Sequence, residues 1–150
     1  MARIYVASSW RNAFQPSVVE MLRFEGHDVY DFRNPFSGLS GFQWSELDAN
    51  WEKWTARDYR DKLLTHPRAA QGYVNDLRAM EWADTCVMVL PCGNSAHIEA
   101  GWMAGRGKHT IIYIPEGTEF KPDLMYLCAD HIVVDENELK WAITPPGTSE

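Results

Sequence analysis

Five short apolar runs, separated by segments with helical spacing, constrain the fold of this chain more than any other feature. They are RIYVA (3–7), HDVYDF (27–32), TCVMVL (85–90), TIIYI (110–114) and HIVV (131–134). Runs that are apolar on both faces and rich in β-branched residues are typical of strands buried within a parallel sheet. Because helical segments alternate with these runs, the sequence predicts an α/β protein with helices on both faces of the sheet.

The order of these elements predicts a flavodoxin-like, doubly wound sheet. Residues 3–32 read as a βαβ unit whose helix starts near Pro16, and such units take a right-handed crossover. Five strands in 150 residues favour the strand order 2-1-3-4-5. Further helices are expected at 55–64, 68–82, 95–105 and 136–143. We expect one domain over residues 1–143 and a flexible C-terminal tail over 144–150.

Composition excludes several classes of partner. The net charge of −7 lacks the basic footprint of a protein that binds duplex nucleic acid. No secretory signal opens the chain, and no apolar stretch is long enough to span a bilayer, so no membrane partner is expected. The three cysteines show no CxxC spacing, which favours a reduced, cytoplasmic setting. The five histidines are scattered, so neither a metal site nor a bound cofactor is predicted.

The predicted sheet order places a ligand site where the order reverses, at the carboxyl ends of the first and third strands. Three loops meet there, at 8–12, 31–54 and 91–95. The first loop offers the hydroxyls of Ser8 and Ser9, and Arg11 is a candidate phosphate clamp. Asp31 ends the second strand, where it either binds a ligand hydroxyl or serves as an ordinary turn residue.

The third loop leads into a helix that carries Glu99. Gly93 lets the backbone approach a ligand closely, and Asn94 and Ser95 add side-chain donors. With Ser95 as the N-cap, the free N–H groups of the helix would favour an anion. Glu99 then falls at the fourth helical position, where no capping box requires it. It either points into the crevice or is an exposed helix glutamate, and Asp76 in the preceding helix has the same two readings.

The segment from Arg33 to Trp54 has little regular patterning and carries three of the seven tryptophans. Structureless loops of this length are usually functional or disordered, and the aromatic content disfavours disorder. The tryptophans either cover the core or form a lid whose rings stack on a planar ligand. In the second case Trp44 would cover that ligand.

Two stretches share a longer pattern, RIYVASSWRN at the start and NDLRAMEWADTCVMVLPCGNSAHIEAGWMAGRGK over 75–108. The pattern is an opening strand with a small-residue loop, an Asp before the third strand, a Glu-Ala-Gly in the next helix, and a Gly-Lys turn. It resembles the nucleoside 2-deoxyribosyltransferase superfamily, which includes nucleotide N-glycoside hydrolases. The resemblance covers roughly residues 3–134.

The resemblance implies a function in N-glycosidic bond chemistry. Glu99 matches the family nucleophile that attacks the anomeric carbon, and Asp76 matches the acid that assists the departing base or holds the sugar. Ser8 and Ser95 match positions that hold a sugar or phosphate in the hydrolase branch. The helix N-terminus is expected to help keep Glu99 ionised. The substrate would be a small nucleoside or nucleotide, cleaved or transferred through a glycosyl-enzyme intermediate.

Asp123 and Met125, in the segment KPDLMYL, resemble the part that a partner subunit inserts into the site of these enzymes. This resemblance implies a homodimer or a larger homo-oligomer. Two alternatives stay open. A TIR-like NAD glycohydrolase would keep the glutamate but change the substrate, and a nucleotide-binding or interaction module would keep the fold without turnover.

Overall fold

A five-stranded, all-parallel sheet in the order β2-β1-β3-β4-β5 organises the computed structural model, which describes residues 1–144. The strands are β1 (Arg3–Ala7), β2 (Asp28–Asp31), β3 (Thr85–Val89), β4 (His109–Tyr113) and β5 (His131–Val133). The predicted fold class and strand order are confirmed. The predicted flexible tail lies, apart from Thr144, outside the described residues.

Within residues 1–144, four α-helices and three short 3-10 segments connect the strands, and a fifth α-helix follows β5. The helices are α1 (Gln15–Phe24), α2 (Ala56–Thr65), α3 (Pro67–Trp82), α4 (Asn94–Gly105) and α5 (Glu136–Ile143). The 3-10 segments are Trp44–Glu46, Trp51–Lys53 and Leu124–Cys128. Local signals explain several starts: Thr55 and Asp58 form a capping box at α2, and the Asp135 side chain accepts from Glu138 N–H at α5. Within residues 1–144, no helix is long and apolar enough to cross a membrane.

The sheet has a separate hydrophobic layer on each face. One layer joins Ile4, Val6, Val87 and Ile111 of the strands to α1 and α5. The other layer contains Tyr5, Tyr30, Cys86 and Met88 and packs against α3 and α4. Because side chains alternate along a strand, Tyr5 and its register partner Tyr30 both face α3 and α4.

The face of α3 that is buried differs from the large apolar stripe that its sequence suggests, with Ala70, Val74, Leu77 and Trp82. Ala70 and Val74 are exposed, whereas Leu77 and Trp82 are half-buried and pack against the core layer as predicted. The fully buried residues of α3 are Ala69, Gly72, Ala79 and Met80. Apart from Met80 they are small, because α3 lies close against the chain, and a Cβ on Gly72 would sit 3.0 Å from Cβ of Phe42. The same face therefore brings Asp76 inward.

Asn12 fastens the loop after β1 to the loop after β3. Its side-chain amide donates to the carbonyls of Val89 and Pro91 at 3.0 and 3.1 Å. Its side-chain oxygen accepts from Phe14 N–H at 2.7 Å, at the start of α1. The Ser8 hydroxyl adds a bond to the Val89 carbonyl at 2.9 Å. Two of the three predicted site loops are thus held side by side.

Candidate active site

A cavity of about 440 Å³ opens where the loops after β1, β2 and β3 meet. This is the position where the strand order reverses in the sheet, as expected for a ligand site in this fold. Its volume lies within the range typical of small-molecule sites. Nine residues predicted from the sequence line it: Ser8, Ser9, Arg11, Trp44, Asp76, Gly93, Asn94, Ser95 and Glu99.

Glu99 is half-buried on α4 and faces this cavity. Its carboxylate accepts a hydrogen bond from the Tyr5 hydroxyl of β1. Burial, with a smaller contribution from the charge of Asp76, raises the pKa of Glu99 to about 8, although the hydrogen bond from Tyr5 lowers it. A carboxyl group with this pKa is mostly protonated near neutral pH.

The start of α4 corrects two expectations. Gly93 precedes the helix and Asn94 is its first residue, so Ser95 is not the N-cap and Glu99 is the sixth helical residue. Glu99 therefore lies beyond the first turn, where the effect of the helix dipole has faded. The expectation that the N-terminus keeps Glu99 ionised is wrong, because desolvation is the larger effect.

Asp76 lines the same cavity from α3. Its Oδ1 accepts a hydrogen bond from the Tyr30 hydroxyl of β2 at 2.9 Å. Burial raises the pKa of Asp76 to about 6, and the hydrogen bond from Tyr30 opposes the increase. The two carboxyl groups are thus held in one cavity by two hydroxyl donors from neighbouring strands.

The tyrosine pair, Tyr5 and Tyr30, is the part of the site that the sequence reasoning missed. The two residues are register partners, and their rings stack with centroids 5.3 Å apart and planes 16° from parallel. Each side chain is 1% exposed. A buried tyrosine usually needs a partner for its hydroxyl, so two tyrosines inside apolar strands were the available signal.

The tryptophan-rich segment from Arg33 to Trp54, which we call the insert, forms one side of the cavity together with Phe32. We call Phe32, Pro35, Phe42, Trp44 and Trp51 the aromatic wall, because all five line the cavity. Trp44 makes edge contacts with Phe42, Trp54 and Tyr59 at centroid distances of 4.9, 5.9 and 5.8 Å. Trp54 lies behind the wall, outside the lining residues, and its indole donates to Asp48 at 2.9 Å.

Side chains from outside the insert anchor the aromatic wall. Arg68, in the first turn of α3, pairs with Glu46 at 3.1 Å and donates to the Ser40 carbonyl at 3.0 Å. Its guanidinium lies 5.5 Å from the centroid of the Phe42 ring. At the other end, Trp10 donates to the Phe42 carbonyl at 3.1 Å. The wall is therefore a packed structure rather than a loose loop.

Polar groups collect in another part of the cavity lining, which we call the anion corner: Ser8, Ser9, Arg11, Asn94 and Ser95. The Ser9 hydroxyl accepts from Arg11 N–H at 3.2 Å, and Asn94 and Ser95 form the first turn of α4. The N–H groups of that turn and one guanidinium are suited to an anion such as a phosphate.

Three predicted site residues lie outside the cavity lining. Asp31 is 6% exposed and accepts from Gln15, Arg33 N–H and Asn34 at 2.8, 2.9 and 3.1 Å, so it is occupied as a structural turn residue. Asp123 caps the 3-10 segment Leu124–Cys128 by accepting from Met125 N–H at 2.7 Å. Met125 is 66% exposed. The role of this segment in a partner's site stays a prediction.

No cluster of three or more His, Cys, Asp or Glu side chains suited to a metal ion occurs within residues 1–144. The described lining instead offers carboxyl, hydroxyl, amide and aromatic groups. Such groups suit an organic ligand with a planar ring and a polar or anionic end.

Together these features define an α/β domain with two half-buried carboxyl groups at the switch point of a parallel sheet. A solved structure of similar fold is that of the 2-deoxyribosyltransferase from the psychrotolerant bacterium Bacillus psychrosaccharolyticus. It matches 93% of this chain and 90% of its own length with a TM-score of 0.61 and 21% sequence identity. The Clostridium botulinum CMP N-glycosidase BcmB matches 94% and 96%, with a TM-score of 0.51 and 16% identity.

No protein-family model matches the chain, and no curated protein sequence matches it. At this level of identity the two structural matches establish the shared fold. The shared fold agrees with the fold class predicted from the sequence.

Proposed function

We propose that this protein cleaves or transfers the N-glycosidic bond of a nucleoside or nucleoside 5′-monophosphate. Glu99 is the nucleophile and Asp76 is the acid. The observation that carries the proposal is the pair of half-buried carboxyl groups in a cavity of about 440 Å³, each bonded to a tyrosine hydroxyl. The names of the two structurally similar proteins, a deoxyribosyltransferase and a CMP N-glycosidase, support the same chemistry.

In the proposed reaction the Glu99 carboxylate attacks C1′ of the sugar. The C1′–N bond breaks, its electron pair leaves with the base, and Asp76 donates the proton that neutralises the base. The product is an ester between C1′ and Glu99. Water or a second base then attacks C1′, and the C1′–O bond to Glu99 breaks with its electron pair returning to the Glu99 carboxylate. The attacking group gives up a proton to Asp76.

The ionisation of the pair shapes the pH dependence. Near pH 7 the pKa values of about 8 for Glu99 and about 6 for Asp76 leave one proton on the pair, mostly on Glu99. The reactive form has that proton on Asp76, so it is the less populated of the two arrangements in the free protein. The positive charge that develops on the sugar favours ionised Glu99 in the transition state. We therefore expect a bell-shaped profile of kcat/KM against pH.

The anion corner and the aromatic wall favour a nucleotide over a bare nucleoside. Arg11 and the first turn of α4 would receive the 5′-phosphate, with Ser8 and Ser9 beside them. Trp44 and Trp51 would cover the base, since indole rings stack on planar ligands. A phosphate requirement predicts that Arg11→Gln raises KM for the nucleotide and leaves any nucleoside reaction unchanged.

The test is release of free base, measured by chromatography. Wild type, Glu99→Gln and Asp76→Asn are each incubated with nucleosides, 5′-nucleotides and NAD, with and without a second base as acceptor. Release that disappears in Glu99→Gln supports the proposal, and the best substrate decides between the nucleotide and the TIR-like NAD reaction. A folded wild type without release or exchange on any substrate would contradict it and favour the binding module.

We also propose that the protein forms a homo-oligomer. Leu124, Met125 and Leu127 expose 78, 66 and 77% of their surface on one 3-10 segment, and Ile98 of α4 exposes 72%. Large apolar side chains that are exposed together are a feature of protein interfaces. Light scattering on wild type and on Leu124→Asp, Leu127→Asp tests this point: a wild-type monomer would contradict it.

A further inference from the structure

We propose that Tyr30 is the positioning residue for Asp76. The stacked tyrosine pair, on two neighbouring strands, then sets the distance between the Asp76 and Glu99 carboxyl groups. This inference rests on the proposed function for its catalytic meaning. Its structural part can be measured without turnover. Nothing in the sequence pattern or in the names of the similar proteins assigns a role to Tyr30.

Direct contacts carry the first step. The Tyr30 hydroxyl donates to Oδ1 of Asp76 at 2.9 Å, and the Tyr5 hydroxyl donates to Glu99. Both tyrosine side chains are almost completely buried. A buried hydroxyl with one acceptor fixes the position of that acceptor, because breaking the bond would leave both groups unsatisfied.

The second step comes from the sheet. Tyr5 and Tyr30 are paired residues of neighbouring parallel strands, which lie about 4.8 Å apart, and their rings stack at 5.3 Å. Asp76 and Glu99 come from two different helices, α3 and α4, which β3 separates along the chain. The tyrosine pair therefore links both carboxyl groups to two neighbouring strands, whose spacing the hydrogen bonds of the sheet fix.

A third observation is that Tyr30 is itself held from several sides. The Phe36 ring makes an edge contact with it at a centroid distance of 5.0 Å, and Trp82 makes an edge contact with Phe36 at 5.0 Å. Tyr5 covers another side. These contacts belong to the ring and not to the hydroxyl, so Tyr30→Phe keeps them and removes only the hydrogen bond to Asp76.

The charged groups around the Tyr30–Asp76 hydrogen bond are carboxyl groups. Asp76 and Glu99 face the tyrosine pair from α3 and α4, and Asp31 lies at the end of β2. Burial and the neighbouring carboxylates raise the pKa of Tyr30 well above its ordinary value, so its hydroxyl remains a donor at every working pH. Tyr30 therefore favours the ionised form of Asp76.

The test is a carboxyl-carbon NMR titration of protein labelled at aspartate, with Asp76→Asn used to assign the Asp76 signal. We expect Tyr30→Phe to move the Asp76 midpoint upward by about one to two pH units, the shift expected from a lost hydrogen bond to a charged group. The control Tyr113→Phe, which alters a tyrosine 6% exposed in the opposite core layer, should leave it unchanged. An unmoved midpoint in Tyr30→Phe, or an equal shift in the control, would overturn the proposal.

Activity adds a second, separate readout. The acidic limb of the kcat/KM profile should move upward in Tyr30→Phe, and the Tyr30→Phe effect should vanish in an Asp76→Asn background. A shift that persists without the Asp76 carboxyl would contradict the positioning role. If the NMR shift occurs in a protein that releases no base, the positioning role stands and the proposed function fails.

Discussion

The carboxyl groups and the aromatic wall line one cavity but are held in different ways. Asp76 and Glu99 lie on helices and are bonded to tyrosines of neighbouring strands. The wall lies on a segment with only two short 3-10 turns, and its position depends on ring contacts and on anchors such as Arg68. The first part is fixed by the sheet, which the whole fold stabilises. The second depends on a few side chains.

This difference indicates a division of labour. Bond cleavage requires reacting groups held within fractions of an ångström, which regular elements provide. Choice of ligand requires a surface that varies easily, which loops provide. Changes to the sheet-held part should therefore reduce kcat, and changes to the wall should act on stability and KM.

The largest expected effect comes from Glu99→Gln, which alters the sheet-held part and leaves the wall untouched. Loss of the nucleophile should lower kcat by about 10⁴-fold or more, in line with other covalent catalysts. Because glutamine has nearly the same shape as glutamate and carries no charge that the half-buried position would have to solvate, the protein should stay folded. The measurement is base release with circular dichroism in parallel.

A matched control for this change is Glu20→Gln, on the exposed surface of α1. It removes one carboxylate from the chain without touching the cavity, and it should retain full activity. An active Glu99→Gln protein would show that Glu99 is not the nucleophile.

The second effect is on stability against pH. Burial raises the folded pKa of Glu99 from 4.5 to about 8. The unfolded state therefore gives up its proton at lower pH than the folded state, and stability should fall as pH rises from about 4.5 to about 8. Above pH 8 the loss is complete, because the folded Glu99 is then ionised too.

Denaturant unfolding of wild type and Glu99→Gln at several pH values measures this contribution. The difference in unfolding free energy between the two proteins should change in favour of the variant as pH rises through that window. A constant difference would show that Glu99 has an ordinary pKa and is better solvated than its burial indicates.

The strand order of the sheet could be predicted from the sequence, but the hydrogen-bond partners of its polar side chains could not. Continuous apolar runs identify strands buried on both faces, so order and class followed from spacing. The tyrosine pair was missed because tyrosine counts as apolar in such a run, while its hydroxyl partner lies on a distant helix. Asp31 is a candidate ligand-binding residue in the sequence because it stands at the end of a strand, whereas the donor Gln15 is brought to it only by folding.

Two other differences have the same cause. The fully buried residues of α3 are small apart from Met80, so a search for large apolar side chains finds Leu77 and Trp82 but misses Ala69, Gly72 and Ala79. Ser95 resembles an N-cap, but the N-cap of α4 lies two residues earlier, at the extended Gly93. Tertiary contacts, which no local pattern records, decide both cases.

The third prediction concerns Gly41, where the chain of the aromatic wall packs tightly against Phe32 and Trp10. A Cβ on Gly41 would lie 2.4 Å from the Phe32 carbonyl oxygen and 2.7 Å from the Trp10 ring. Because the first of these is backbone, Gly41→Ala should destabilise the protein by about 1–3 kcal/mol, as overpacking typically does. Denaturant unfolding measures the loss, and KM should rise with it.

Gly101→Ala is the matched control, since a Cβ there meets no atom within 4 Å and the residue lies inside α4. It should be neutral or stabilising by about 0.5–1 kcal/mol, because alanine favours the helix. Equal stability of the two variants would show that the chain at Gly41 is free to move, and that the wall is less firmly packed than its contacts indicate.

The smallest expected effect comes from the anchor of the wall, and it tests the comparison most closely. Arg68→Met keeps most of the stem that covers Phe42 but removes the bonds to Glu46 and the Ser40 carbonyl. Arg68 is 17% exposed and Glu46 37%, so solvent screens the pair and the loss should be about 1 kcal/mol. Arg60→Met removes an ion pair whose partners are 60 and 61% exposed, and it should change stability very little.

If the aromatic wall and the carboxyl groups are held independently, Arg68→Met raises KM severalfold while kcat and the Asp76 titration stay as in wild type. A fall in kcat, or a shifted Asp76 titration, would mean that the wall also positions α3, and that the two halves of the cavity move as one.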